Sequence, residues 1–496
     1  MIFSLRTLIS ALFLTLSVTA CVADPVAVPP GAAFPSPENV GREDLKAAWT
    51  QYGPMGLLEA RAVVEGADCP EIVIDLLKQP MQRRAEGNSN FLTICSAVIP
   101  AGTKQAGFAF IKSKTPRPHS GAGAGALREW YIKETGVIPP DDLKDVGAWI
   151  AWQGKLRAAF HYDVVPLALP AAEPQRIVVL GDTGCRIKGK KLQACSDPVA
   201  WPFPGLAAAA ARLKPDLVIH VGDYLYREQA CPAEFIGCQG TPFGDNWPTW
   251  DADFFAPAKP LLAAAPWVIV RGNHEDCQRA GPGFLRLLGT TAYDPAAACS
   301  EHLAPYSIPL AGLNLVVSDN ADAPEKELVD KRVPVYRAEF EALAKEPSPS
   351  WWLMHRPIWG LVTGPLGLPA GGNLNLMAAV GEAGIAAPVS LMLAGHIHTF
   401  EAINYAGKPV PPQIVAGFGG DYLDPTPANL RGGIFQGSYG VSVKDGLSIG
   451  GFGFLLMTKT GADWSVDVYD WQGRIERQCR FHSGRVDCPV PAKRRR

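Results

Sequence analysis

Five short motifs in this chain carry side chains able to hold a metal ion, and each follows an apolar run. "RIVVL" leads into "GDTG" with Asp182, "VIHV" into "GDYLY" with Asp223 and Tyr226, and "WVIV" into "RGNHE" with Asn273 and His274. "WWLM" leads into "HRP" with His355, and "LMLA" into "GHIH" with His396 and His398. Oxygen and imidazole nitrogen donors together suit zinc, manganese and iron. His396 and His398, at i and i+2, point the same way from an extended segment. Taken singly, each motif has a plain explanation: a Gly-Asp after a strand is ordinarily a turn or cap, and a lone histidine is ordinarily packed or solvated. Five of them in order, each closing an apolar run, call for a common site.

The apolar runs must position that site. "RIVVL", "DLVIHV", "PWVIV", "LNLVVS", "SWWLM", "VSLMLA" and "PQIVAG" read as buried strands. Stretches such as "GLAAAAARLK" and "VYRAEFEALAKE" read as helices between them. Continuous apolar strands alternating with helices indicate an α/β core, in which ligands bind beyond the carboxyl ends of the strands. "WSVDVYDWQGRIERQCRF" alternates about a turn and reads as a closing hairpin. Residues 41–170 carry shorter β-like runs ("EARAVVEG", "EIVIDLL", "QAGFAFIK", "GAWIAWQGKL") and the helical "ALREWYIKET", without a chemical motif. They read as a small β-rich domain, with His119 and His161 as solvated or core histidines. The core domain then spans 171–480 and a basic tail 481–496. A length of 496 residues agrees with more than one domain. The net charge of −2 gives no reason to expect nucleic acid as a partner.

The order GD, GD, GNH, H, GHxH resembles the calcineurin-like metallophosphoesterases over roughly residues 174–475. The resemblance implies a β-sandwich core flanked by helices and a site for two metal ions. That family usually opens with Asp-x-His, whereas this chain has "GDTG", with Gly184 in the histidine's place. The fuller pattern GDxG, GDxxY, GNH(D/E), H, GHxH is similar to the purple acid phosphatase branch, in which a tyrosinate takes the missing role. Phenolate is a hard anion, and a trivalent ion can keep it ionised below its usual pKa near 10. Carried over, Asp182, Tyr226 and His398 would hold a ferric ion. Asn273, His355 and His396 would hold iron, zinc or manganese, and Asp223 would bridge the two.

The activity so implied is hydrolysis of small phosphomonoesters by a metal-bridging hydroxide, as in an acid phosphatase. His274 would stabilise charge and protonate the leaving alcohol. The alternatives are a phosphodiesterase or nucleotidase using manganese or zinc, and a non-catalytic metal-binding surface lipoprotein. Outside the set, His220 reads as core, His302 as a loop residue within possible reach of substrate, and His482 has no role. A histidine restored at 184 would stand in for Tyr226 if the loop has room for it.

The N-terminus adds a compartment. Residues 1–20 have a basic Arg6, an apolar stretch from Leu8 to Val18 and then small residues, as a secretion signal does. "VTAC" resembles a bacterial lipobox, with Cys21 as the lipid attachment site. Ordinary cleavage near Ala20 or Ala23 is the alternative. Residues 21–40, rich in Pro and Ala, would tether the protein to a membrane, the outer one if the cell has two. Setting Cys21 aside leaves ten of 11 cysteines, an even set falling in near-neighbour pairs. An exported chain is expected to form disulfides, and local pairing is the simplest scheme, although spacing does not fix the connectivity.

Overall fold

The computed structural model describes residues 40–75, 77–111, 125–126, 129, 132–133, 162–381, 384–427, 429–435, 437 and 439–489. Within them, two large sheets face each other. The first has 11 strands, with a parallel centre formed by Arg176–Leu180, Leu217–His220, Trp267–Ile269 and Leu45–Tyr52. The second has seven, with Leu313–Val317, Ser350–Leu353, Val389–Ala394 and Gln413–Ala416 parallel. All seven apolar runs are strands at the expected places.

The two-residue period of a strand divides these runs between layers. Ile177, Val179, Leu315, Leu353, Leu391 and Leu393 fill the space between the sheets. Val178 and Leu180 turn outward beneath the helices Phe203–Arg212 and Ala256–Leu262. Val316, Trp352, Met392 and Ala394 turn outward beneath Val333–Ala342 and Leu374–Val380. Burial on both faces explains why these strands are apolar throughout rather than alternating. The result is a sandwich flanked by helices, and it brings the carboxyl ends of the parallel strands of both sheets to one rim.

Among the described residues of the β-rich region, Leu45–Tyr52 lies beside Trp267–Ile269, and Leu58–Val64, Thr93–Ile99 and Gln82–Ala85 extend the same sheet. The described residues fall within one compact unit. Gln51 and Arg61, both buried, fix this junction by donating to the carbonyls of Leu288 and Leu287. The strands Glu71–Ile74, Leu77–Pro80, Ala106–Ile111 and Tyr162–Pro166 make a separate four-stranded sheet. At the other end, the hairpin Asp463–Asp470 and Ile475–His482 is followed by the strand Arg485–Asp487, so sheet replaces the first part of the expected tail. No helix among the described residues is long and apolar enough to cross a membrane. Cys21, the tether, His119, His161, "GAWIAWQGKL" and most of "ALREWYIKET" lie outside the described residues.

The five near-neighbour cysteine pairs are disulfides: Cys69–Cys95, Cys185–Cys195, Cys231–Cys238, Cys277–Cys299 and Cys479–Cys488. Three of them begin within five residues of Asp182, Tyr226 and Asn273, on the loops that leave the parallel strands.

Candidate metal centre

The loops after the parallel strands turn sharply. Asp182, Asp223 and His396 adopt left-handed backbone angles, with φ of 56°, 59° and 70°. Such angles cost a non-glycine residue about 1–3 kcal/mol and persist only where the surroundings enforce them. Here the loops enforce one another: the Asp182 amide donates to the Gly222 carbonyl, and the His396 amide donates to Asp182 Oδ2 at 2.9 Å. Gly222 is needed for space as well as for its φ of 99°, since a Cβ there would stand 2.4 Å from His355 Nδ1.

Four candidate ligands meet at the phenol of Tyr226. Its oxygen lies 3.0 Å from Asp182 Oδ1, 2.7 Å from Asp223 Oδ2 and 3.1 Å from His398 Nε2. Tyr226 is fully buried. Burial, with Asp182 and Asp223 alongside, pushes its phenol well above the ordinary value, and Arg186 opposes this with its guanidinium 4.8 Å above the ring. A phenol so placed ionises when a cation takes its proton's place among these oxygens. His398 donates from Nδ1 to the Tyr422 carbonyl at 2.6 Å, which leaves Nε2 as its inward donor.

The remaining ligands lie on the other side of Asp223. His355 Nε2 is 3.2 Å from Asp223 Oδ2 and 3.1 Å from Asn273 Oδ1, while its Nδ1 donates to the Val221 carbonyl at 2.8 Å. The donor atoms of Asp223, His355 and His396 all lie within 4.8 Å of one another. His396 engages Glu325 and Arg356 through Nε2, so Nδ1 is its free nitrogen. Burial would raise the Asp223 carboxyl, yet His355 and His274 hold it well below the usual carboxylate range. The donor set therefore fits two ions sharing Asp223. Oxygen donors predominate on the first side, oxygen and nitrogen are balanced on the second, and each histidine's outer nitrogen is fixed by a group outside the set.

His274 stands over this arrangement. Its ring centroid is 3.9 Å from that of Tyr226, its Nε2 is 3.9 Å from Asp223 Oδ2, and its Nδ1 is 2.5 Å from Glu228 Oε1. Burial tends to raise the Glu228 carboxyl, but the His274 hydrogen bond and Lys188 bring it down to about 2.

The supporting carboxylates were not singled out from sequence. Buried Glu275 accepts from four backbone amides, those of Asp223, Tyr224, Leu225 and Gly272, tying the second motif to the third. It is the final residue of "RGNHE", so the motif itself held the signal. Asp253 accepts from the amides of Cys185, Tyr226 and Arg227, tying the first motif to the second. It lies in a π-helical turn, Asp251–Phe255, where no local pattern marks it. Asp421, in the loop after Gln413–Ala416, grips Arg186 and donates its amide to the Asp182 carbonyl.

The remaining histidines lie outside the ligand set. His220 is fully buried, 3.0 Å from Thr183 Oγ1 and stacked on Tyr224, as a core residue should be. His302 is occupied by Glu339 and Asp322, and His482 by Asp487. Gly184 has no room for a histidine. A Cβ there would stand 2.8 Å from both the Tyr224 carbonyl oxygen and Tyr226 Cδ2, and 2.9 Å from Asp253 Oδ2. The expectation that a histidine at 184 could replace Tyr226 is therefore corrected on steric grounds.

Residues 175–400 match the profile of the calcineurin-like phosphoesterase family, and this segment is a calcineurin-like phosphoesterase domain. No curated protein sequence matches the chain. Among solved structures it is similar to the purple acid phosphatase isolated from yellow lupin (Lupinus luteus) seeds, at 12% identity, TM-score 0.49, 87% of this chain and 73% of that one. It is also similar to PhoD, at 9% identity, TM-score 0.46, 90% of this chain and 92% of that one.

Proposed function

We propose that the protein is a two-metal phosphomonoesterase of the purple acid phosphatase type. Asp182, Tyr226 and His398 hold ferric iron, Asn273, His355 and His396 hold iron, zinc or manganese, and Asp223 lies between. The observation that carries this reading is the Tyr226 phenol, within 3.1 Å of donor atoms of Asp182, Asp223 and His398. When bound, such a metal pair clamps the phosphoryl oxygens and activates water for in-line displacement. The chain's own part is positional and protic. Asp223 keeps both halves in register, and Glu275 and Asp253 hold the loops. His274, oriented by Glu228, donates its proton to the departing alkoxide.

The same reading includes export and a lipid on Cys21, supported by the apolar N-terminus, "VTAC" and the five disulfides. The test is to assay purified protein on a chromogenic monoester and diester alongside metal analysis and a visible spectrum. Two metals per chain, one of them iron, with a monoester preference is the expected result. His274→Ala should retain both metals while slowing turnover by about 10²–10⁴-fold. A colourless, iron-free protein that favours the diester would overturn the reading.

A further inference from the structure

The loop that follows Gln413–Ala416, "GFGGDYLD", belongs to none of the five motifs, yet it is built into the centre. Asp421 is fully buried on Arg186, and Asp424 exchanges hydrogen bonds with the backbone of His398 through its side chain (3.0 Å) and its amide (3.2 Å). Between them, the Tyr422 carbonyl holds His398 Nδ1, while the Tyr422 side chain turns outward and is 48% exposed. Its hydroxyl has no hydrogen-bond partner among the described residues. One neighbour is in place, Lys191, whose ammonium lies 5.5 Å from the ring centroid.

Lys191 belongs to a small hairpin, Ile187–Lys188 paired with Lys191–Leu192, in which Lys188 and Lys191 stand opposite each other. That hairpin is anchored on the centre: the Ile187 amide donates to the Tyr226 carbonyl at 3.0 Å, and Lys188 pairs at 2.9 Å with Glu228. Glu228 in turn holds His274. A connected path thus runs from the proton donor through Glu228 and Lys188 to Lys191 and the exposed ring. If His274 serves the leaving alcohol, a group that extended from that alcohol along the hairpin toward Lys191 would approach Tyr422.

We propose that Tyr422, steadied by Lys191, is a leaving-group subsite that favours phosphate esters of aromatic alcohols. This rests on the phosphomonoesterase reading and adds a substrate class to it. An aromatic face open to solvent gains most from a second ring, since stacking adds to simple area burial and tolerates many ring types.

The test compares phenyl phosphate with 2-glycerol phosphate, using wild type, Tyr422→Ala and Tyr422→Trp. Alanine keeps the backbone carbonyl that holds His398. Tyr422→Ala should raise the KM for phenyl phosphate relative to 2-glycerol phosphate by at least about fivefold, with kcat for the two esters moving together. Tyr422→Trp should restore the preference. Binding of phenylphosphonate relative to methylphosphonate, measured by calorimetry, should weaken by the same factor, with metal content unaltered. An unchanged ratio in Tyr422→Ala, or a loss of metal that weakens both esters alike, would overturn the subsite and leave the phosphomonoesterase reading standing. A metal-loaded wild type that cleaves neither ester would overturn that reading itself.

Discussion

The two halves of the centre share Asp223 and differ in how they are enclosed. Around Tyr226 the donors are buried and already in contact with one another. Around His396 the wall is thinner: that side chain is 21% exposed, and the Glu325 that holds it is 36% exposed. A closed, oxygen-rich half suits an ion that is bound once and kept, because rigid hard donors select both charge and geometry. A half walled by an exposed carboxylate suits entry of substrate and exchange of metal. On the proposed reading, the difference would let one shared carboxylate serve two unequal ions. It also assigns each half its own failure.

Asp223→Ala should have the largest effect, because it removes the one side chain common to both halves. Turnover should fall to background, and elemental analysis should show metal lost from both. Activity at the wild-type level would break the comparison at its root.

Tyr226→Phe should act on the closed half alone. The visible band should vanish and iron should fall, while zinc or manganese added at the other half still binds. Adding Gly184→His should not rescue it, because phenylalanine keeps the ring carbon that a Cβ at 184 would approach to 2.8 Å. The overpacked double variant should be less stable than Tyr226→Phe by about 1–3 kcal/mol, read as a lower thermal midpoint. A double variant that regains activity without colour would show that the loops around 184 yield.

Much of this arrangement was legible before any coordinates, because its signals are local. The parallel strands are apolar throughout, and each candidate ligand sits within a few residues of a strand end. Tyr226 was singled out for a different reason: Gly184 stands where the resembled family carries a histidine, which pointed to a donor from elsewhere. What sequence did not reveal depends on contacts between distant segments. Leu45–Tyr52 looks like any short β-run, and only its pairing with Trp267–Ile269 joins it to the main sheet. Asp253 holds two ligand loops from a turn more than 25 residues beyond them. The left-handed angles of Asp182, Asp223 and His396 had no glycine to announce them, because surrounding contacts rather than residue type impose them.

Glu325→Gln offers the smallest and sharpest separation of the two halves. The substitution keeps the side chain's size and one oxygen acceptor while removing the charge that faces His396 Nε2 and Arg356. His396 then loses the anion that fixes its ring and makes Nδ1 more basic, a change that in metal sites generally costs about 10–100-fold in affinity. The loss should fall on the exposed half alone. Zinc or manganese should dissociate at lower chelator concentration, with activity following it, while the visible band and the iron remain. If iron and colour leave together with the second metal, the halves are not independent. Asp223 would then transmit every disturbance at His396 to Tyr226, and the closed half would owe its stability to the open one.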